Sequence, residues 1–406
     1  MIKKILTGFV MLIGLHVNAQ PAGDWLATLQ RPDGEQIVFN FSMENNNGKP
    51  VLYVINAMER IKVSNMRFTS DSVFIQMPLF ESVIEAAVVN DIWQGTWTKA
   101  GTSTEQVMPF RAERSQTRFA ADAGKALINI SGRWGVSFEG DRSAAYPSVA
   151  EFKQTGNRLT GTILTPTGDY RYLEGIVTGN QIKLSTFDGG HAFLFTANIS
   201  SNKTITNGLF YSGKTFKESW YAVKNAKAKV NADVVAMAMK PGEEKLNFTF
   251  PDLDGKPVSI NDERFKNKVV IVQIMGSWCP NCMDETAFLS DYYNDNKDRA
   301  VEVISLAYEY STDFERSVKS VKKFQQRFNV QYPMLITGVS VSDSLRTEKT
   351  LPQVTAIKFF PSSIIIDKKG IVRKFDTGFV GPGTGKYFEV YSKAFYAFIE
   401  ELLHEK

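Results

Sequence analysis

The sequence predicts a multi-domain chain in which an all-β N-terminal half precedes an α/β C-terminal domain. Its length of 406 residues exceeds what one domain of ordinary size contains. From Gly23 to about Asn225, short strand-like segments alternate with turn residues, which is typical of barrels and sandwiches. Beyond Pro241, apolar strand patterns alternate with helical patterns, and this indicates an α/β sandwich around a central mixed sheet.

The composition excludes several classes of protein. Hydrophobic residues make up 43% of the chain and aromatic residues 12%, so the chain can form buried cores and is not globally disordered. The formal net charge of +4 is too small to indicate a nucleic-acid binder or a polybasic membrane anchor. The two cysteines and the scattered His16, His191 and His404 argue against a zinc site and against a disulfide scaffold. We therefore expect no metal and no cofactor.

Residues 1–19 predict a cleavable secretory signal peptide. Lys3 and Lys4 precede a short apolar run, which ends at the small-residue cleavage pattern Val17-Asn18-Ala19. No stretch of the sequence approaches the roughly 20 apolar residues that a membrane-spanning helix needs. No cysteine follows the cleavage site, so lipid attachment is not expected. The pattern predicts a periplasmic protein without a membrane anchor after cleavage.

The β-rich half is predicted to contain two tandem barrel-like or sandwich units, at residues 20–125 and 126–225. Gly23-Asp24-Trp25 and Gly132-Arg133-Trp134 each open a run of strand-like segments, which indicates a weak internal repeat. Five of the six tryptophans lie in this half. Large aromatic residues are ordinary core residues, so we favour packing over the alternative of a ligand-lined cavity. Residues 226–242 lack strand alternation and are predicted to be a linker.

The remaining segment, residues 243–406, is predicted to form one α/β domain. Apolar strands are expected at Lys268–Met275 and Val301–Tyr308, and shorter strands further along the chain. Helices are expected from Pro280 to about Asn294 and from Thr312 to Phe328. The predicted final helix carries an apolar stripe that faces the sheet, formed by Phe388, Tyr391, Phe395, Phe398 and Leu402.

Both cysteines fall in the motif Trp278-Cys279-Pro280-Asn281-Cys282, between the first buried strand and the helix that follows it. Two intervening residues allow the thiols to come within disulfide distance, and this motif in a βα unit is a redox signature. The start of a helix favours a thiolate, so Cys279 is the expected nucleophile and Cys282 the resolving thiol. Half of a zinc site, or a purely structural disulfide, is the less favoured alternative.

Beyond this motif, residues 243–406 resemble the TlpA/ResA-type periplasmic thiol–disulfide oxidoreductases of the thioredoxin superfamily. The segments that carry the resemblance are Phe250–Ile260, Trp278–Cys282, Leu351-Pro352-Gln353, Phe360-Pro361-Ser362, Asp367–Gly370 and Thr377–Gly385. The resemblance implies a thioredoxin-like fold, a disulfide-containing protein substrate and an external thiol protein as electron donor. It includes none of the β-rich half.

The resemblance also implies roles for individual residues. Pro361 matches the cis-proline of the family, which faces the cysteines, and the rival candidate is Pro333. A client segment would contact Phe360 and Ser362 on either side of this proline, as well as Trp278 and Pro280 in the cysteine motif.

Glu285 matches an active-site glutamate of the ResA-like branch, which would accept or relay the proton of Cys282. The alternative for Glu285 is an exposed helix carboxylate beside Asp284. Gln273 stands where thioredoxins carry a buried aspartate. Because Gln273 cannot titrate, Glu285 is the only nearby substitute.

These observations predict a periplasmic thiol–disulfide oxidoreductase that acts as a reductase through a mixed disulfide at Cys279. A thiol peroxidase is a poorer alternative, because Gly276 and Val272 stand where the peroxidatic pattern requires Thr and Pro. A third possibility is that the β-rich half binds or docks a ligand or client. The direction of electron transfer depends on a reduction potential that the motif alone does not determine.

Overall fold

A computed structural model describes residues 22–101, 104–120, 124–138, 147–230 and 236–405. The predicted signal peptide, residues 1–19, lies outside these ranges, as does part of the predicted linker 226–242. No helix in the described ranges is both long enough and apolar enough to cross a membrane. The predicted domain limits stay predictions.

The first β unit is an antiparallel, nine-stranded sheet of consecutive strands. Its strands are β1 (Gly23–Gln30), β2 (Gln36–Asn46), β3 (Lys49–Asn56), β4 (Glu59–Val63), β5 (Met66–Phe68), β6 (Ser72–Gln76), β7 (Ser82–Val89), β8 (Ile92–Lys99) and β9 (Gln106–Arg114). Because β1 pairs with both β2 and β9, the sheet curls around its own core. Inward positions alternate with more exposed ones along strands such as β1, β6 and β7, as in an up-and-down barrel, whereas β2 is buried continuously from Ile37 to Met43.

The second β unit is a closed antiparallel barrel. Its strands are β10 (Gly132–Phe138), β11 (Ser148–Thr155), β12 (Arg158–Thr165), β13 (Gly168–Asp169), β14 (Leu173–Thr178), β15 (Gln181–Phe187), β16 (Ala192–Ser201), β17 (Thr204–Ser212) and β18 (Phe216–Lys224). The ring closes because β10 pairs with β18 and β11, and β11 pairs with β12. The short β13 pairs antiparallel with the end of β12.

The five tryptophans of the β-rich half all lie in the barrel cores. Trp25, Trp93 and Trp134 are fully buried, and Trp97 and Trp220 nearly so. The rings of Trp25 and Trp93 lie 4.7 Å apart between centroids. The predicted packing role is therefore confirmed.

The C-terminal domain has a thioredoxin-like fold around a five-stranded mixed sheet, as predicted. The strands are β21 (Val269–Met275), β22 (Val301–Ala307), β23 (Met334–Ile336), β24 (Ser362–Ile366) and β25 (Val372–Thr377), preceded by the hairpin β19 (Thr249–Pro251) and β20 (Pro257–Ser259). In the sheet order β23-β22-β21-β24-β25, the first three strands are parallel, β24 runs antiparallel to β21, and β25 runs antiparallel to β24.

Four α-helices flank this sheet within the described residues. They are α1 (Pro280–Asp295), α2 (Phe314–Arg327), α3 (Arg346–Thr350) and α4 (Lys386–His404). The predicted stripe of α4 packs on the core, with Phe395 and Leu402 buried. The short α3 was not predicted, because five residues are too few to show a helical period.

The β-rich half contributes directly to the core of the C-terminal domain. Leu79 and Phe80, from the connection between β6 and β7, join the buried cluster that contains both cysteines. The cysteine motif therefore lies where the first β unit meets the thioredoxin-like domain.

Candidate active site

The cysteine motif lies at the junction between β21 and α1. Cys279 precedes the helix as its N-cap, and Pro280 occupies the first helical position, where its missing N–H is no loss. The backbone N–H of Cys282 donates to Sγ of Cys279 at 3.2 Å. A donor at the positive end of a helix favours negative charge on that sulfur, which suits a nucleophile.

The second cysteine has a different environment. Cys282 is fully buried, whereas Cys279 is 3% exposed, and the two thiols are not bridged. Burial, reinforced by hydrogen bonding with Cys279, raises the pKa of Cys282 well above its ordinary value. Cys282 therefore keeps its proton until a base removes it. The described residues include no group of three or more metal-ligating side chains.

Pro361 lies beside Cys279, the predicted nucleophile. The Phe360–Pro361 peptide bond is cis, whereas Tyr332–Pro333 is not among the cis bonds of the described residues. The Cys279 thiol donates to the carbonyl of Phe360 at 3.5 Å. Pro361 and Ser362 are buried, and the Ser362 hydroxyl bonds back to the carbonyl of Phe359.

Glu285 lies one turn after Cys282 and is 1% exposed, so the alternative of an exposed helix carboxylate is wrong. The side chains of Gln273 and Ser363 each donate a hydrogen bond to it at 2.9 Å. Burial raises the pKa of Glu285 to about 7 although these two donors oppose the shift. A carboxyl group with that pKa can take up or release a proton near neutral pH.

Gln273 has a role that the sequence did not reveal. Its amide nitrogen donates to Glu285 and its amide oxygen accepts a 2.7 Å bond from Ser305. The residue thus fixes the orientation of the glutamate instead of titrating itself. Its buried position in the central strand was the signal available in the sequence.

The loop before the motif is held by a second buried carboxylate. The backbone N–H of Ser277 donates to Glu309 at 2.8 Å and its hydroxyl at 2.5 Å. Burial raises the pKa of Glu309 to about 7. Trp278 donates to the carbonyl of Tyr308 and stacks on Tyr310, so it is half-buried.

The second β unit contacts the start of α1 through buried charges. Arg171 forms ion pairs with Asp284 of α1 and with Glu59 of the first β unit. One guanidinium therefore connects all three parts of the molecule. Burial raises the pKa of Asp284 to about 7 even though Arg171 opposes the shift.

Backbone contacts reinforce this interface. The N–H of Gly381 donates to the Asp169 carboxylate at 2.8 Å, and the N–H of Asp169 donates to the Asn281 side chain at 3.4 Å. A side chain at Gly168 would collide with Asn281, so the loop that carries β13 fits closely against the motif.

The first β unit covers the motif from another side. Glu81 follows the buried Leu79 and Phe80. It forms an ion pair with Arg316 at 2.8 Å and accepts a hydrogen bond from Ser320 at 2.7 Å, and both partners lie on α2. These contacts were not predictable from the sequence, because residues about 200 positions before the motif provide them. The two thiols are covered as a consequence.

A cavity of about 460 Å³ lies between the second barrel and the motif. Pro280 and Asn281 border it, whereas neither cysteine lines it. Its apolar wall comes from Phe138, Tyr170, Phe193, Phe210, Phe216 and Phe359.

Comparison with known proteins identifies relatives of the C-terminal domain. Residues 241–375 match the AhpC/TSA family. The thiol-disulfide oxidoreductase ResA of Bacillus thuringiensis subsp. konkukian is 30% identical over 134 residues, which cover 33% of this chain and 68% of that protein. ResA of Bacillus cereus strain ZK is 29% identical over 155 residues, covering 38% of this chain and 77% of the relative.

Solved structures of similar proteins include the thioredoxin domain of a thiol-disulfide oxidoreductase from Bacteroides vulgatus, at 24% identity. The match covers 39% of this chain and 99% of that one, with a TM-score of 0.28. A thiol-disulfide oxidoreductase from Bacteroides fragilis is 20% identical; the match covers 36% of this chain and 99% of that one, with a TM-score of 0.28.

The family assignment rests on the sequence relatives. Through its C-terminal domain, this chain belongs to the ResA/TlpA-like thiol–disulfide oxidoreductases.

Proposed function

We propose that this protein is an exported, periplasmic reductase of protein disulfides that works through the Cys279-Pro280-Asn281-Cys282 dithiol. The observation that carries the proposal is the asymmetry of the two sulfurs. Sγ of Cys279 accepts the N–H of Cys282 at the start of α1. The pKa of Cys282 is raised well above its ordinary value, mainly by burial.

In the first step, the Cys279 thiolate attacks one sulfur of a client disulfide. The client S–S bond breaks, a mixed disulfide forms, and the other client sulfur leaves as a thiolate. Cys282 then transfers its proton to Glu285 and attacks Sγ of Cys279. The reduced client is released and Cys279 and Cys282 form a disulfide, which an external thiol protein must reduce.

Client binding requires a change in the covered site. We assign the client contacts to Trp278, Pro280, Phe360 and Ser362, with Pro361 offering backbone hydrogen bonds to an extended segment. Because Cys279, Pro361 and Ser362 are buried in this structure, the β-rich half must move before a client chain can reach the sulfur. The contacts that resist this movement are Arg171 with Asp284 and Glu81 with Arg316.

The proposal is tested by following reduction of insulin by the full mature chain with dithiothreitol as the electron source. We expect turnover above the uncatalysed rate, and its loss in Cys279→Ser. Equal rates for the two proteins would refute the proposed activity. A signal-cleaved product in the periplasmic fraction would test the location separately.

A further inference from the structure

The cavity of about 460 Å³ beside the cysteine motif takes no part in the proposed mechanism. It lies at the end of the second barrel that faces Pro280 and Asn281, and Phe359 also belongs to its wall. The barrel closes through eight strands, β13 aside, and a barrel of that size can hold one small ligand. The volume of the cavity is also within the range of small-molecule sites. The chemistry of the wall therefore indicates what the cavity can bind.

Four aromatic rings of the second barrel form a packed cluster on this wall. The ring of Tyr170, directly after β13, lies 5.6 Å from that of Phe193 and 5.0 Å from that of Phe210, between centroids. The rings of Phe193 and Phe210 lie 5.5 Å apart, and that of Phe138 lies 6.1 Å from that of Phe210. All four pairs meet edge to face, which is a preferred geometry of aromatic rings. The wall is thus formed before a ligand arrives, which lowers the cost of binding.

These rings leave apolar surface open at the cavity. Trp134 and Trp220 of the same barrel are packed in its core. Tyr170 and Phe193, in contrast, are only half-buried, and Phe216 on β18 is 46% exposed. Removing the open faces of several rings from water is favourable, so the wall suits an apolar molecule.

Two carboxyl groups, those of Asp169 and Glu218, also belong to the wall. The Asp169 carboxyl group accepts the backbone N–H groups of Arg171 and Gly381, at 2.6 and 2.8 Å. Glu218 likewise interacts with another group of the chain. An anion in this cavity would lose its hydration beside two acidic groups, which is unfavourable, whereas a neutral molecule avoids that cost.

We propose that this cavity is a binding site for a neutral, largely aromatic small molecule. The site goes beyond the proposed function and does not depend on it. The second barrel forms one wall, and Pro280, Asn281 and Phe359 form the other, so a bound molecule contacts both halves of the chain. Its binding stabilises the arrangement in which the second barrel lies against the motif.

The test compares two fluorescent probes that share the same rings. N-phenylnaphthylamine is neutral, and anilinonaphthalene sulfonate carries a sulfonate group on the same ring system. Both become brighter on leaving water, so titration of the full mature chain gives their dissociation constants. We expect saturable binding of one equivalent of the neutral probe, and at least about tenfold weaker binding of the sulfonate. Equal binding of the two probes, or no saturable binding, would overturn the proposal.

Two variants test whether the probe binds in this cavity. Phe216→Ala removes a ring from the wall, and Ser212→Trp adds a bulky side chain to it. We expect binding of the neutral probe to weaken about fivefold in the first variant and at least about tenfold in the second. The matched control is Tyr221→Ala, because Tyr221 is a 42% exposed ring of the same strand as Phe216 and lies outside this cavity. Near-ultraviolet circular dichroism of each variant shows whether it is folded.

Unchanged binding in both cavity variants would overturn the proposal, as would an equal loss in Tyr221→Ala. A second measurement tests the position beside the motif, in Cys282→Ser protein. The neutral probe, at about ten times its dissociation constant, should slow alkylation of Cys279 by up to about tenfold, because it stabilises the covered arrangement. An unchanged rate would place the probe away from the motif and would also overturn the proposal. None of these measurements uses a client, so their outcome is separate from that of the insulin assay.

Discussion

The thioredoxin-like domain and the β-rich half make different contributions to the surroundings of the dithiol. The thioredoxin-like domain supplies every proposed reacting group, Cys279, Cys282 and Glu285, at the N-terminal end of α1. The β-rich half supplies none of them, but it contributes Phe80, which packs in their core, and Arg171, which pairs with the helix. A short motif can thus specify the chemistry of a site while residues remote in the sequence determine access to it.

Two neighbouring carboxyl groups on α1 show the same division. Glu285 is held by Gln273 and Ser363 of its own domain. Asp284, one residue earlier, pairs with Arg171 of the second barrel. Burial raises the pKa of both to about 7. Of these adjacent side chains, Asp284 belongs to the interface, and Glu285 is the one to which we assign a role in the proposed chemistry.

The largest expected effect lies within the thioredoxin-like domain. Cys282→Ser should abolish turnover and leave clients attached to Cys279, because the thiol that resolves the mixed disulfide is gone. Mass spectrometry of the trapped adducts, with Cys279→Ser as the control, measures this. Adducts at equal levels in both variants would show that attachment does not occur at Cys279.

The next effect concerns the glutamate. Glu285→Gln should slow the release of reduced client in a single turnover by about a hundredfold near neutral pH, since the base for Cys282 is lost. With native Glu285 the rate of release should fall as pH drops below about 7, where the carboxyl group becomes protonated. The exposed Glu389→Gln on α4 is the control. An unchanged rate would remove Glu285 from the mechanism.

The interface between the halves should respond to Arg171→Met. This change leaves the Asp284 and Glu59 carboxylates without their buried partner, and should lower the free energy of unfolding by about 3 kcal/mol. It should also speed alkylation of Cys279 about tenfold, because the cover opens more often. Arg158→Met, an exposed arginine of the same barrel, is the control. Equal alkylation rates would mean that Arg171 does not hold the cover.

The last effect is on how the free energy of unfolding depends on pH. The pKa of Glu285 is raised to about 7 in the folded chain, so the folded state binds more protons than the unfolded state between pH ~4.5 and ~7. Its contribution to the free energy of unfolding is therefore present at low pH and lost as pH rises through about 7, by at most about 3 kcal/mol. Urea unfolding of Glu285→Gln should show a flatter pH dependence, and an unchanged one would contradict the raised pKa.

The sequence predicted the thioredoxin-like domain more fully than its surroundings. Hydrophobic periodicity placed α1 and β21 within one or two residues of their observed bounds, because local pattern determines local structure. The contacts by which the β-rich half covers the cysteine motif were not predictable, since the partners of Asp284 and Phe80 lie more than 100 residues away along the chain. The histidine that looked isolated in the sequence, His191, contacts Lys99 through the same long-range folding.

The cover that the β-rich half forms over Cys279 is measurable as the ratio of Cys279 alkylation rates with a bulky maleimide and with small iodoacetamide, in Cys282→Ser protein. Both reactions depend on the thiolate fraction of Cys279, so dividing one rate by the other largely cancels that fraction. The ratio then reports how accessible Cys279 is to the larger reagent. We predict that the ratio is at least about tenfold lower in the native chain than in the urea-unfolded chain. Equal ratios would show that Cys279 is open to large reactants and would contradict the account.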